Sequence, residues 1–218
     1  MEDVGLFHVY RTCLELLHDR DYVVPYLLQD GTDKRMPSRM KRDREWFDRT
    51  FPRGRPDLMT VFRQRQSGQQ TYLMFESSVV SKPALKKLIS RFAPDVTQCI
   101  FVFAQKPTPA ARTQLHEMNT DDNPRVYLQY FYEDELLVNH IVDGVSILAG
   151  GRPPKNIRMN SLPRIATDDW TVRYLGARVG DIIRIRRRSE TAGRYTNYRE
   201  VTHCELLPKN APVKRQKV

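Results

Sequence analysis

From Ile183 to Arg188 the sequence alternates. Ile183 and Ile185 are apolar, while Arg184, Arg186 and Arg188 are cationic. A period of two is the period of a β-strand, whose successive side chains leave opposite faces. The run therefore predicts a strand in a small sheet, with isoleucines on a core and arginines on the other face. Those arginines cannot all enter the core, because burying an unpaired charge is prohibitive. They stay in water or meet carboxylates and carbonyls on a partner, and a guanidinium fork suits carboxylates as well as phosphates. A flexible nucleic-acid arm would be unpatterned, so the alternation favours a hairpin that holds protein. The glycine-containing loop that follows leads to a partner strand over residues 195–201.

Upstream, the periodicity stops in 149-AGGRPPKN-156, where Gly and Pro end any regular element. This predicts an N-terminal domain over 1–148, a linker over 149–161, a C-terminal domain over 162–207 and a disordered basic tail over 208–218. In the first domain, Leu6, Tyr10, Cys13, Leu14 and Leu17 recur at helical spacing. A short helix is expected near 38–47, with strands over 57–64 and 71–80 separated by a Ser67-Gly68 turn. Leu85, Leu88, Ile89 and Phe92 mark a second helix, and Ile100–Phe103 a buried strand. Thr108 before Pro109 is an N-cap ahead of a first-turn proline, opening a helix to about residue 119 and then a strand over 126–131. In the second domain Asp169 caps a helix that Gly176 ends. Helices alternating with strands make the chain α/β, or α+β.

Composition removes several classes. The 218 residues contain no apolar run of the roughly 20 residues a membrane span needs, and the acidic, interrupted N-terminus is no signal or transit peptide. An intracellular protein is expected. Cys13, Cys99 and Cys204 form no CxxC pair, and five scattered histidines show no ligand spacing, so neither a disulfide framework nor a zinc site is expected. Charge is uneven. Residues 157–218 carry 14 Lys/Arg against 6 Asp/Glu, whereas residues 1–156 carry 22 against 20. Such asymmetry suits a polyanionic neighbour, or equally a solvated basic tail.

Five ordered blocks give the C-terminal region a more specific character: 162-LPRI-165, 173-RYLG-176, 180-GDIIRI-185, 189-SETAGRY-195 and 198-YR-199. This series resembles the C-terminal domain of the small subunit common to the eukaryotic nuclear RNA polymerases, a domain shared with the archaeal RNA polymerase. Fainter matches precede it in order: 18-HDRDY-22, 55-RPDLMTVF-62 and 108-TPAA-111. The chain departs from the family's usual pattern at Trp170 and Arg188, where proline is common. Residues 143–161 also lack an acidic, leucine-rich helix, and the chain continues past Val201. These departures imply a divergent paralogue.

The resemblance implies a noncatalytic polymerase subunit acting in the nucleus without a cofactor of its own. Its N-terminal domain would be a jaw with a mixed sheet beside downstream duplex DNA, and its C-terminal α/β domain would dock on the largest subunit. It assigns Lys106, Thr108, Pro109, Ala110, Ala111 and Arg112 to the neighbourhood of DNA, where a helix N-terminus and two cations attract phosphate without regard to sequence. The residues alone also fit an ordinary capped helix with solvated charges. It assigns Arg164, Arg173, Arg184, Arg186, Arg188, Ser189, Glu190, Thr191, Ala192, Gly193, Arg194, Tyr195, Tyr198 and Arg199 to the large-subunit interface. Two alternatives remain. One is a stand-alone transcription adaptor using the same C-terminal surface. The other is a degenerate PD-(D/E)xK nuclease fold, echoed by Pro56-Asp57 and 76-ESS-78, in which Ser78 replaces the lysine that would activate water. The basic 212-PVKRQK-217 also suits nuclear import.

Overall fold

In a computed structural model, the structure describes residues 3–24, 47–49, 51, 60–64, 67–120, 126–139, 145–148, 161–189 and 193–203. The chain divides into two compact units, Met1–Asn139 and His140–Val218. Residues 38–46 of the expected helix and residues 57–59 of the first expected strand lie outside the described residues, as does the tail, while Phe47 at the helix's expected end is helical.

The first unit contains helix α1 (Asp3–Asp19) and strands β1 (Tyr22–Val23), β2 (Thr60–Gln64) and β3 (Gln70–Glu76). Helix α2 (Lys82–Ile89), β4 (Val96–Phe103), helix α3 (Pro109–Thr120) and β5 (Tyr127–Tyr132) follow, with a 3-10 turn at Asp134–Leu136. The strands form one mixed sheet in the order β1-β2-β3-β4-β5, antiparallel through β3 and parallel from β3 to β5. Each parallel step needs a crossover, and α2 and α3 supply them. Both pack on the same face, as right-handed crossovers in one direction require. There Leu85 of α2 and Ala111 and Leu115 of α3 meet Tyr72, Met74, Cys99, Phe101, Phe103 and Leu128 from the sheet. On the other face, Tyr10 of α1 lies 6.2 Å from Phe75 and 5.6 Å from Phe47, ring centre to ring centre. With both faces covered, β3 and β4 read as nearly continuous apolar runs.

The second unit holds a four-stranded sheet, order β6-β8-β9-β7, built from β6 (Val145–Ile147), β7 (Arg164–Ala166), β8 (Ile182–Ser189) and β9 (Gly193–Thr202), with helix α4 (Trp170–Leu175). The division falls ahead of the Gly/Pro stretch, and Val145–Ile147 pairs with Ile183–Ile185. Ile165, Ile183, Ile185 and Val201 share one sheet face and pack with Val172 and Ala177, and Leu175 of α4 lies against them. The caps act as expected. Asp169 accepts the Thr171 N–H at 2.8 Å, and Gly176 ends α4 at φ 70°. Trp170 is the first residue of α4, the position where proline is favoured, and its ring stacks on Tyr174 at 4.9 Å.

Strand β3 ends at Glu76 rather than Val80. The Glu76 carboxylate accepts both the N–H and the hydroxyl of Ser78, at 3.1 and 2.7 Å, which turns the chain. Ser81 then caps α2 by accepting the Ala84 N–H at 3.4 Å.

Cys13 and Cys99 are free and buried. Burial raises both thiol pKa values, and the Glu133 carboxylate adds to the effect at Cys13. A thiol held protonated in the fold contributes stability that is present below the unfolded thiol's pKa, about 8.5, and lost as pH rises beyond it. Denaturant titrations between about pH 8.5 and 10 are therefore expected to show stability falling by about 1.4 kcal/mol per pH unit for each thiol. Cys99→Ala should make that slope shallower, and an unchanged slope would refute the assignment.

Candidate protein and nucleic-acid interfaces

The start of α3 is a well-capped helix with little spare capacity for anions. Thr108 accepts the Ala111 N–H through Oγ1 at 3.3 Å, and its carbonyl accepts the Arg112 N–H at 3.0 Å. Pro109 has no N–H to offer. Among the described residues, this leaves the Ala110 amide as the open donor of that first turn. Ala111 is fully buried and part of the core, so its side chain is unavailable to a ligand. Thr108 is half-buried, while Lys106, Pro109, Ala110 and Arg112 are exposed. The Lys106 ammonium sits 5.9 Å from the centre of the Tyr132 ring. Positive charge at this end of the helix comes from Lys106 and Arg112 more than from the helix terminus.

The C-terminal sheet divides the remaining candidates between its two faces. Residues directly opposite in a ladder share a face. Arg184 pairs with Tyr198, Arg186 with Thr196, and Arg188 with Arg194; Ile183 pairs with Arg199, Ile185 with Asn197, and Arg187 with Tyr195. Arg164 stands opposite Glu200, on the same face as Arg184. One face thus carries Arg164, Arg184, Arg186, Arg188, Arg194 and Tyr198. The face covered by α4 carries Tyr195, beyond the packed isoleucines, and Arg199, directly opposite Ile183. Gly193 faces Ser189 at the ladder's end with φ +68°.

Several of these side chains already have internal work. Arg173 donates from Nε to the Asp168 carbonyl at 3.0 Å, holding the entry to α4. Arg184 donates from Nη2 to Ser146 Oγ on β6 at 3.0 Å. Arg164 and Arg186 are exposed, and Tyr195 is 56% exposed although it is a large aromatic residue. Glu190, Thr191 and Ala192 lie outside the described residues, as do the side chains of Arg188, Ser189 and Arg194. The pattern within β8 does not disclose Arg164, Arg194 or Ser146. They join the arginine row only through strand pairing, which no local pattern announces.

The nuclease echo has a plain structural account. Asp57 lies outside the described residues, and Glu76 is occupied in closing its own turn on Ser78. Among the described residues, no cluster of three or more His, Cys, Asp or Glu side chains could hold a metal ion.

Against known families, residues 154–201 match RNA polymerase Rpb5, C-terminal domain. That segment is similar to this family's C-terminal domain. The match takes in β7, α4, β8 and β9, hence nearly the whole arginine face, while β6 precedes it and completes the sheet. Similarity extends well beyond that domain. The DNA-directed RNA polymerases I, II, and III subunit RPABC1 of Caenorhabditis elegans is 28% identical over 215 residues, covering 92% of this chain and 97% of the relative. Its Caenorhabditis briggsae counterpart is 28% identical over 220 residues, with the same coverage. The Dictyostelium discoideum subunit is 28% identical over 211 residues, covering 91% of this chain and 98% of its own length. At 28% identity, the chain is similar to these subunits over nearly its whole length.

Proposed function

We propose that this chain is a noncatalytic structural subunit of a nuclear DNA-dependent RNA polymerase. The observation that carries the reading is the end-to-end similarity to RPABC1 subunits, over 92% of the chain, joined to the match of residues 154–201 to the Rpb5 C-terminal domain. In this reading the complex performs nucleotidyl transfer, and this chain shapes and stabilises it without a cofactor. The C-terminal domain docks on the largest subunit, using its outward residues Arg164, Arg186, Tyr195 and Tyr198. Arg173 and Arg184 support the surface from within, since each already bonds inside the domain. The N-terminal domain flanks downstream duplex, with weak contacts indifferent to sequence.

The jaw assignment has its own test. Lys106→Glu with Arg112→Glu alters two exposed cations and leaves the Thr108 cap intact. Reversing two charges near phosphate is expected to reduce crosslinking to downstream DNA by about tenfold at low salt without changing assembly. Crosslinking equal to wild type would remove the jaw claim. To separate a subunit from a detachable adaptor, nuclear extract is fractionated at high salt. A subunit stays with the polymerase large subunits, whereas an adaptor elutes apart from them.

A further inference from the structure

Helix α2 and the turn that closes it carry positive charge that the fold itself does not ask for. From Ser77 to Pro94 the sequence holds four cations, Lys82, Lys86, Lys87 and Arg91, and no aspartate or glutamate. All four are exposed. Among the described residues, none of them makes an ion pair or a side-chain hydrogen bond. Lys86 and Lys87 lie in the last turn of α2, where cations suit the helix dipole, but Lys82 is its first residue, the end where a cation is unfavourable. Lys82 also stands four residues before Lys86, a spacing at which like charges destabilise a helix. Local rules broken in this way mark places where a sequence serves something other than its own fold.

The row of cations begins beside the start of α3. The Thr108 N–H donates to the Val80 carbonyl at 3.0 Å, two residues ahead of Lys82. Lys82 therefore belongs to the same end of the sheet as Lys106 and Arg112. From there the row follows α2, and at about 1.5 Å per residue Lys82 to Arg91 covers about 13 Å. Duplex DNA carries one charge per about 1.7 Å of axis, hence about eight phosphates over that length. Single-stranded nucleic acid is gripped through stacked bases, but Phe92, the aromatic residue nearest the row in the chain, is buried. Three of the four cations are lysines, compact charges that impose no planar geometry on a partner. That chemistry suits a phosphate backbone met without regard to sequence.

From these observations together, we propose that the outer face of α2 is a contact surface for duplex DNA, with Lys82, Lys86, Lys87 and Arg91 set against backbone phosphates. The proposal rests on the reading of this chain as a polymerase subunit, which supplies the duplex, and it carries the contact from the start of α3 along a second helix. Phosphates beside the row offset the repulsion between Lys82 and Lys86. An acidic polypeptide would meet the same charge, but no exposed aromatic residue stands in the row to anchor one, so the surface favours the duplex.

The test uses the full chain and a labelled mixed-sequence duplex of about 16 base pairs, followed by fluorescence anisotropy from about 50 to 200 mM potassium chloride. Wild type is expected to bind, more weakly as salt rises. Lys86→Gln, Lys87→Gln and Arg91→Gln together should weaken binding by at least about tenfold and make the slope of log affinity against log salt shallower by about 2–3. Lys82→Glu alone places an acid in the first turn, four residues before Lys86. It should weaken binding while keeping or raising the midpoint of thermal unfolding, which separates lost contact from lost folding. Affinity and slope equal to wild type in the triple variant overturn the proposal, as does a wild-type chain that binds no duplex. A glutamate polymer of matched charge that binds more tightly than the duplex overturns the choice of DNA. Unchanged duplex binding in the triple variant, with polymerase subunits still recovered with the tagged chain, would remove this surface and leave the subunit reading standing. Weakened binding with no such subunits recovered from wild type would support the surface and reject that reading.

Discussion

Phe101→Ala is expected to cost the N-terminal domain about 3–5 kcal/mol, the range for deleting a fully buried phenylalanine. Phe101 lies on β4, the strand between the two parallel neighbours, and has no exposed surface. Its ring stacks on Phe103 at 5.5 Å with planes 6° apart and lies 6.3 Å from Phe92. Flanking strands and two crossover helices hold the walls of this site, so the cavity cannot simply collapse. The loss compares with a whole domain stability of about 5–15 kcal/mol, so the variant sits near the threshold of unfolding. Urea denaturation followed by circular dichroism measures the change. A cost below about 1 kcal/mol would mean that the core is not organised around β4.

The second large effect concerns assembly. Arg186→Glu combined with Tyr195→Ala should reduce recovery of polymerase large subunits with the tagged chain by about tenfold or more, as loss of an aromatic and an arginine anchor commonly does. The two residues occupy opposite faces of the ribbon, Arg186 opposite Thr196 and Tyr195 opposite Arg187. Both are exposed, so the domain should fold unchanged, with α4 still capped by Asp169. Substituting Gly193 would be a poorer probe. A Cβ there would meet no atom within 4 Å, but the φ of +68° disfavours any side chain, at about 1–2 kcal/mol, and would confound a lost contact with a strained hairpin. Recovery equal to wild type in the double variant would move the docking surface elsewhere.

Local signals in the sequence proved legible where they act through neighbours in the chain. The Ile/Arg alternation gave a strand, Asp169 and Gly176 bracket α4, and Thr108-Pro109 opens α3. The mixed α/β character followed from helices alternating with strands. What was not legible depends on pairing across distance. Nothing near Val145–Ile147 signals that it completes the sheet beyond the Gly/Pro stretch, because its partner lies about forty residues on at Ile183–Ile185. The opposition of Arg188 to Arg194 likewise emerges only from the hairpin register. At the start of α3, the packing of Ala111 into the core was likewise not legible, because the sheet residues it meets lie on other elements. Glu76 stood in the nuclease echo and instead closes a turn, a role that a carboxylate at the end of a strand and two residues before a serine can satisfy locally.

Purification of the tagged full-length chain from nuclear extract, followed by identification of whatever accompanies it at high salt, tests the central claim most directly. The account predicts the largest subunit of at least one nuclear RNA polymerase in stoichiometric amount, retained with this chain through gel filtration. A chain that elutes alone, with no polymerase subunit beside it, would contradict it.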